Sequence, residues 1–340
     1  MNPLLSIVPL NFMLFSLLHN EFWQTPLPFT SLNHQQFVEL QRMAAKQTIE
    51  GLVMGTLIRN NVKLERADAL MAYSRTMMIE QLNYRVSGVA KELAGILAND
   101  KVDYRIFKGQ TLAQLYPHPL ARTPGDIDFY CVPRDFARAE GLLQQAWGIA
   151  LGGEESEQHR EFSYHEVPLE MHFCMIKFNS KGIQSYWERL LAEAPNEQIS
   201  IDGTPIVTLP PTLNVLYTFL HLYHHLVELG VGLRQFCDLL ILLHRHCEAI
   251  DRSSLERHLR TMGFYRAFCA IGCVLIDKLG LPAHEFPFSI SPRDARYQSA
   301  ILDIVFIGGN FGKHHSTTAV RSGMRYNVEA TMRKLRHYRL

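Results

Sequence analysis

Asp126 and Asp128 stand two residues apart in Gly125-Asp126-Ile127-Asp128-Phe129-Tyr130, a run that reads as a β-strand. Side chains alternate along a strand, so both carboxylates project from one face while Ile127 points into a core. Two neighbouring carboxylates repel unless a cation lies between them, and a ligand set made only of oxygen suits Mg²⁺ or Mn²⁺. A third acid follows on a later strand-like run, Glu170 in Val167-Pro168-Leu169-Glu170-Met171-His172-Phe173. His172 shares its strand face. A pair of acids this close is common in itself; the third acid, a preceding glycine turn at Lys108-Gly109 and the cation Arg122 turn it into a metal-site candidate.

The elements that must position these residues are legible from periodicity. Residues 1–98 read as a helical region. Apolar residues recur at helical spacing over Gln36 to Ile58 and again over Asp68 to Leu97, with polar side chains expected on solvated faces. Leu4 to Leu18 lacks a basic start and a small-residue cleavage site, and it is short for a membrane span, so it reads as a buried helix. Residues 99–209 change period. Val102 to Phe107 reads as a strand, Gln110 to Tyr116 as a short helix stopped by Pro117 and Pro119, and Asp126 to Val132 as a strand. Asp135 to Trp147 reads as a helix ended by Gly148. Glu161 to Glu166 and Pro168 to Lys177 follow as closely spaced, antiparallel strands, and Asp202-Gly203 centres a hairpin over Ile199 to Leu209. Residues 210–340 return to helix after Pro210-Pro211. The expectation is an α+β protein, with a small mixed sheet flanked by N-terminal and C-terminal helical regions.

Composition narrows the field without deciding it. A net charge of +1 over 340 residues argues against strong whole-molecule attraction to nucleic acid or membranes. Six scattered cysteines with no CxxC pair argue against a zinc ribbon and fit a reduced, cytoplasmic protein. His221 and His225 lie one helical turn apart, yet no HExxH pattern accompanies them, so His225 is placed in a structural or substrate-pocket role. Arg234 and Asp238 are also one turn apart. They are expected either to pair on the helix or, for Arg234, to reach into a cleft. Gly308 to Lys313 lacks the spacing of a P-loop. The basic tail from Arg321 reads as a solvated helix, with an acidic partner as the alternative.

The order of glycine turn, short helix, paired acids and third acid resembles the polymerase-beta-like nucleotidyltransferase superfamily. More closely, Lys108-Gly109, Arg122-x-x-Gly125-Asp126-Ile127-Asp128 and Leu169-Glu170-x-His172 resemble an uncharacterised bacterial nucleotidyltransferase family. The run Gly230-Val231-Gly232-Leu233-Arg234-Gln235-x-x-Asp238 and the loop Gly308-Gly309-Asn310-Phe311-Gly312 carry the same resemblance. It implies transfer of a nucleoside monophosphate from an NTP to an acceptor hydroxyl by a two-metal mechanism, with Asp126, Asp128 and Glu170 as ligands. Lys108, Gly109, Gln110, Arg122 and His172 become nucleotide contacts, and His225 and Arg234 candidates for the substrate pocket. The acceptor, whether small molecule, protein or RNA end, is left open. One departure stands out: the superfamily's Gly-Ser is here Gly109-Gln110. That departure keeps alive a second reading, a catalytically inactive nucleotide-binding regulatory or antitoxin-like protein.

Overall fold

The computed structural model describes residues 9–150 and 158–308. The Gly308 to Lys313 loop beyond its first residue, the basic tail and the start of the Leu4 to Leu18 stretch lie outside the described residues.

Four helices come first: α1 (Leu10–Trp23), α2 (His34–Lys46), α3 (Glu50–Arg59) and α4 (Arg66–Asn99). The Gln36 to Ile58 pattern is split between α2 and α3, because Thr48 takes a positive φ of 58° and breaks the helix. The α/β segment then runs β1 (Tyr104–Phe107), α5 (Gly109–Ala113), β2 (Ile127–Cys131), α6 (Pro133–Trp147), β3 (His159–Tyr164), β4 (Val167–His172), α7 (Lys181–Glu193), β5 (Glu197–Ile201) and β6 (Thr204–Thr208). Helices α8 (Pro211–His224), α9 (Leu233–Arg245), α10 (Arg252–Met262), α11 (Tyr265–Asp277), α12 (Pro292–Ala295) and α13 (Gln298–Gly308) complete the described chain. Among the described residues no helix is long and apolar enough to cross a membrane.

The main sheet has the order β1-β2-β4-β3, with β2 and β4 parallel and the outer pairs antiparallel. It is therefore mixed. β5 and β6 form the expected hairpin around Asp202 and Gly203, both at positive φ. The alternation along β2 sorts its side chains cleanly. Ile127, Phe129 and Cys131 enter one apolar cluster with Leu169, Met171 and the α4 stripe Val86, Val89, Ala90, Leu93, Ala94 and Leu97. That stripe follows the 3.6-residue period of a helix laid against a sheet. Asp128 and Tyr130 face the other way, towards α7 and α8.

The second apolar cluster joins the two helical regions. Leu14, Leu17 and Leu18 of α1 and Leu52 and Val53 of α3 share it with Leu216 and Phe219 of α8, Phe236 and Leu240 of α9 and Phe268 of α11. Polar ties reinforce this union. Trp23 Nε1 donates to the Leu279 carbonyl at 2.7 Å, and the buried Gln47 donates from Nε2 to the Val305 carbonyl at 2.9 Å. Segments at opposite ends of the chain thus build one core.

The polar residues of the N-terminal helices depart from the solvated-face expectation. Glu21, Glu50, Asp68 and Asn83 are all buried. Each is buried with partners, as a buried polar group must be. Glu21 accepts from Arg59 and Thr56, Glu50 from Arg75, and Asp68 pairs with His34.

Candidate active site

Register places the acids. In the parallel pair, Asp128 sits opposite Glu170 and Tyr130 opposite His172. Asp126 immediately precedes β2. One oxygen from each of Asp126, Asp128 and Glu170 lies within 4.8 Å of the others. Asp128 is 1% exposed, which makes its charge expensive unless it is met by partners. It has two. Lys108 Nζ lies 2.7 Å from Asp128 Oδ1, and His172 Nε2 lies 3.1 Å from the same oxygen and 3.2 Å from Glu170 Oε2.

These contacts set the protonation of the cluster. Burial alone would raise the Asp128 carboxyl, but the Lys108 ammonium and the His172 bond outweigh it and hold the group well below the usual carboxylate range. Burial would lower Lys108, and attraction to Asp128 carries it above the ordinary lysine value instead. His172 follows the same logic: burial opposes its charge, and its bonds to Asp128 and Glu170 raise it. Asp126 moves in the opposite sense to Asp128. Repulsion from Asp128, then burial, raises it. The acids therefore hold more negative charge than Lys108 comfortably offsets.

The turn that delivers Lys108 is strained. Lys108 has φ 57° and ψ −149°, a region that side chains rarely occupy and that costs on the order of 1–3 kcal/mol. Gly109 follows at φ 40°, and a Cβ there would lie 3.2 Å from the Asp126 carbonyl oxygen. Glycine lets the turn press against the strand bearing the acids. The Lys108–Asp128 contact holds the unusual backbone in place.

Lys108, Gly109, Arg122, Asp126, Asp128, Glu170, His172, His225 and Arg234 all line one cavity of about 510 Å³. Gln110 does not. Its side chain is buried and donates from Nε2 to Asn83 Oδ1 at 3.1 Å, while Asn83 donates to the Leu120 and Arg122 carbonyls, both at 2.9 Å. Gln110 thus helps to anchor the loop that carries Arg122. Nothing in the local sequence around Asn83 signals this tie, because its partners lie on distant turns.

Arg122 is 3% exposed, and its partner is Asp238. Nε and Nη2 donate to the two Asp238 oxygens at 2.7 and 2.8 Å, and Tyr116 adds its hydroxyl at 2.7 Å. The pairing of Arg234 with Asp238 along the helix is thereby corrected. Asp238 turns to Arg122, and Arg234 instead donates from Nη1 to the Thr123 carbonyl at 3.2 Å. Helix α9 is aimed by Gln47, whose Oε1 accepts from the Leu233 N–H at 3.0 Å and whose carbonyl accepts from the Arg234 N–H at 3.3 Å.

The rest of the wall comes from α8 and the π-turn His225–Leu229 that ends it. Tyr217, Thr218, His221 and His224 face the cavity, as do Gln158 and His159 from the far edge of the sheet. Burial, then the nearby Lys108 charge, pulls His225 down to about 3. His221 is lowered for the same first two reasons. Both rings are therefore neutral at physiological pH. Their centroids are 4.4 Å apart, and the groupings of potential metal ligands found among the described residues leave them out. The cavity's metal-ligand candidates lie instead on the sheet: the three acids, and His159 with Glu170 and His172. The all-oxygen set of Asp126, Asp128 and Glu170 fits a hard divalent cation, and the raised Asp126 supplies a reason to bind one.

Among curated proteins, none matches this chain. Among solved structures, it is similar to the crystal structure of an antigenic nucleotidyltransferase-like protein from Paracoccidioides brasiliensis. That likeness has a TM-score of 0.34 and 16% identity, over 58% of this chain and 92% of the other. The acid-bearing strands, the Lys108 turn and the α8–α9 wall all fall within residues 33–277, where the sequence matches a family described as "Uncharacterised nucleotidyltransferase", and the chain belongs to that family.

Proposed function

We propose that the protein transfers a nucleoside monophosphate from an NTP to an acceptor hydroxyl, with Asp126, Asp128 and Glu170 holding Mg²⁺ or Mn²⁺. The observation that carries this reading is the convergence of those three carboxylates, delivered in register by two parallel strands, on a cavity large enough for a nucleotide. Divalent ions at these acids, a second one shared with Glu170, would neutralise the reacting phosphate and acidify the acceptor hydroxyl.

The residues divide the remaining work. With a second ion at Glu170 the acceptor's proton would leave to water; without one, Glu170, more open than Asp128, accepts that proton as the acceptor oxygen attacks the α-phosphorus. A new oxygen–phosphorus bond forms, the bond between the α-phosphorus and the bridging oxygen breaks, and pyrophosphate leaves with the electron pair. Lys108 holds Asp128 ionised throughout. His172 fixes the relative orientation of Asp128 and Glu170 through Nε2. Gly109 lets the turn that carries Lys108 press against the acid-bearing strand, and Arg122 and Arg234 face the nucleotide from the opposite wall. His225 contributes a neutral ring to the pocket for the substrate.

Thermal stability measured with each of the four NTPs, with and without Mg²⁺, tests the reading, together with assay of pyrophosphate release. A ligand that binds only the folded state raises stability by mass action, by about 2.7 kcal/mol at a hundredfold excess over Kd. The expected result is a metal-dependent rise for the wild type that disappears in Asp126→Asn/Asp128→Asn. A metal-dependent rise without pyrophosphate release under any acceptor condition would favour the regulatory alternative, to which the Gly109-Gln110 turn lends support. Equal behaviour of wild type and double variant would remove the acids from the site.

A further inference from the structure

The helical wall of the cavity carries more positive charge than its own acid offsets. Lys108, Arg122 and Arg234 are the lysine and arginine side chains among the described residues lining the cavity. Lys108 is committed to Asp128. Asp238 already receives two bonds from Arg122 and one from Tyr116, and Arg234 donates to the Thr123 carbonyl instead. Arg122 Nη1 and Arg234 Nε are buried and without a hydrogen-bond partner. Leaving buried charged donors without a protein partner is costly, and an incoming anion would relieve that cost. Burial, then repulsion from Arg122, lowers Arg234 below the usual arginine value, which agrees with two cations crowded around too little negative charge.

Position says which anion. A Cβ on Gly125 would lie 3.5 Å from Arg234 Nη1, so this guanidinium rests beside the residue that precedes Asp126. An anion on the arginine pair would therefore adjoin the carboxylates directly. The Lys108–Gly109 turn is poorly equipped to take the same charge, since Lys108 is already paired and the Gln110 amide points to Asn83. Planar guanidiniums match the oxygens of phosphate groups better than a single ammonium does.

We propose that Arg122 and Arg234 seat the β- and γ-phosphates of the donor, so that the triphosphate runs from the acids towards α9 and away from the Lys108–Gly109 turn. This deepens the nucleotidyl-transfer reading and rests on it. It assigns discrimination between a triphosphate and a monophosphate to the helical wall. Asp126 and Asp128 keep the reacting end of the nucleotide.

Arg122 also braces the fold through Asp238, so Arg234 is the residue to change. Binding would be measured by calorimetry with Mg²⁺ for three probes: the α,β-methylene analogue of the best-stabilising NTP, the matching NMP, and inorganic tripolyphosphate. The wild type is expected to bind the triphosphate analogue and tripolyphosphate, and to bind the NMP more weakly. Arg234→Ala is expected to weaken the triphosphate analogue by about tenfold to a hundredfold, the range for a charge-assisted bond, to lose tripolyphosphate, and to leave NMP affinity unchanged. Arg234→Lys, which retains the charge, should fall between the two. Mn²⁺ affinity, followed by electron paramagnetic resonance without nucleotide, should be no weaker than in the wild type in either variant, because Arg234 is a cation beside the acids and not a ligand. An unchanged triphosphate-to-monophosphate ratio in Arg234→Ala would overturn the assignment, as would an equal loss for both nucleotides. A wild type that binds no nucleotide would bring down the transfer reading itself, and the phosphate seat with it.

Discussion

The two walls of the cavity handle buried charge in opposite ways. On the sheet wall, three acids crowd around one lysine and one histidine, and Asp126 is raised because its neighbour Asp128 repels it. On the helical wall, Arg122 and Asp238 meet in a two-bond contact, and Tyr116 completes the acid's partners. The first arrangement stores repulsion and is ready to accept a cation. The second spends Asp238 and two donors of Arg122 on holding a loop to a helix, and leaves Arg122 Nη1 and Arg234 Nε for an incoming anion. Burial alone does not separate a reactive group from a structural one; how completely its charge is answered does.

The largest effect expected from this contrast is on Asp238. Asp238→Asn strands the Arg122 guanidinium in a buried setting, and breaking such a pair costs about 3–5 kcal/mol. Equilibrium urea unfolding would register that loss; a midpoint equal to wild type would show that the helical wall is not braced as described.

Next comes acid sensitivity of the helical wall. His225 titrates at about 3 in the fold and near 6.5 in the unfolded chain. Between those values the unfolded state binds more protons, so stability is full above pH 6.5 and falls as pH falls. At pH 5 the loss from this one group is about 2 kcal/mol. His221 acts in the same direction. Unfolding free energies of wild type and His225→Gln between pH 7 and 5 should converge as the pH drops, and parallel profiles would refute a buried neutral His225.

The smallest effect carries the opposite sign. Asp126→Asn removes one of the repelling charges, so without divalent cation it should raise the unfolding midpoint slightly while abolishing the stabilisation that Mg²⁺ and NTP confer. A lower midpoint would mean that the acids are not in net repulsion.

The sheet wall is legible in the sequence because its geometry is local. Alternation puts Asp126 and Asp128 on one side of a strand, and Glu170 with His172 on one side of another. The strand pairing then needed only to be parallel and in register, as it is. The helical wall was harder to read. Arg122 and Asp238 are 116 residues apart, and of the two courses open to Arg234, pairing along the helix or reaching into a cleft, it takes the second and leaves Asp238 to Arg122. Asn83 and Gln47 were invisible for the same reason, since each makes its decisive bonds to backbone groups on remote segments. Periodicity assigns the polar residues of the first helices to solvated faces because it reports only which faces are apolar. It cannot report that a glutamate such as Glu21 has found an arginine, a histidine and a threonine inside.

The core shared by α1, α3, α8, α9 and α11 also has a consequence for biosynthesis. When α3 leaves the ribosome, α1 and α2 are already there to pack on it, but the part of the shared core built by α8, α9 and α11 does not yet exist. At typical elongation rates the start of α9 emerges on the order of ten to thirty seconds later. Through that interval the cluster that includes Leu14, Leu17, Leu52 and Val53 lacks its C-terminal half, which makes the nascent chain a natural client for chaperones that shield apolar segments.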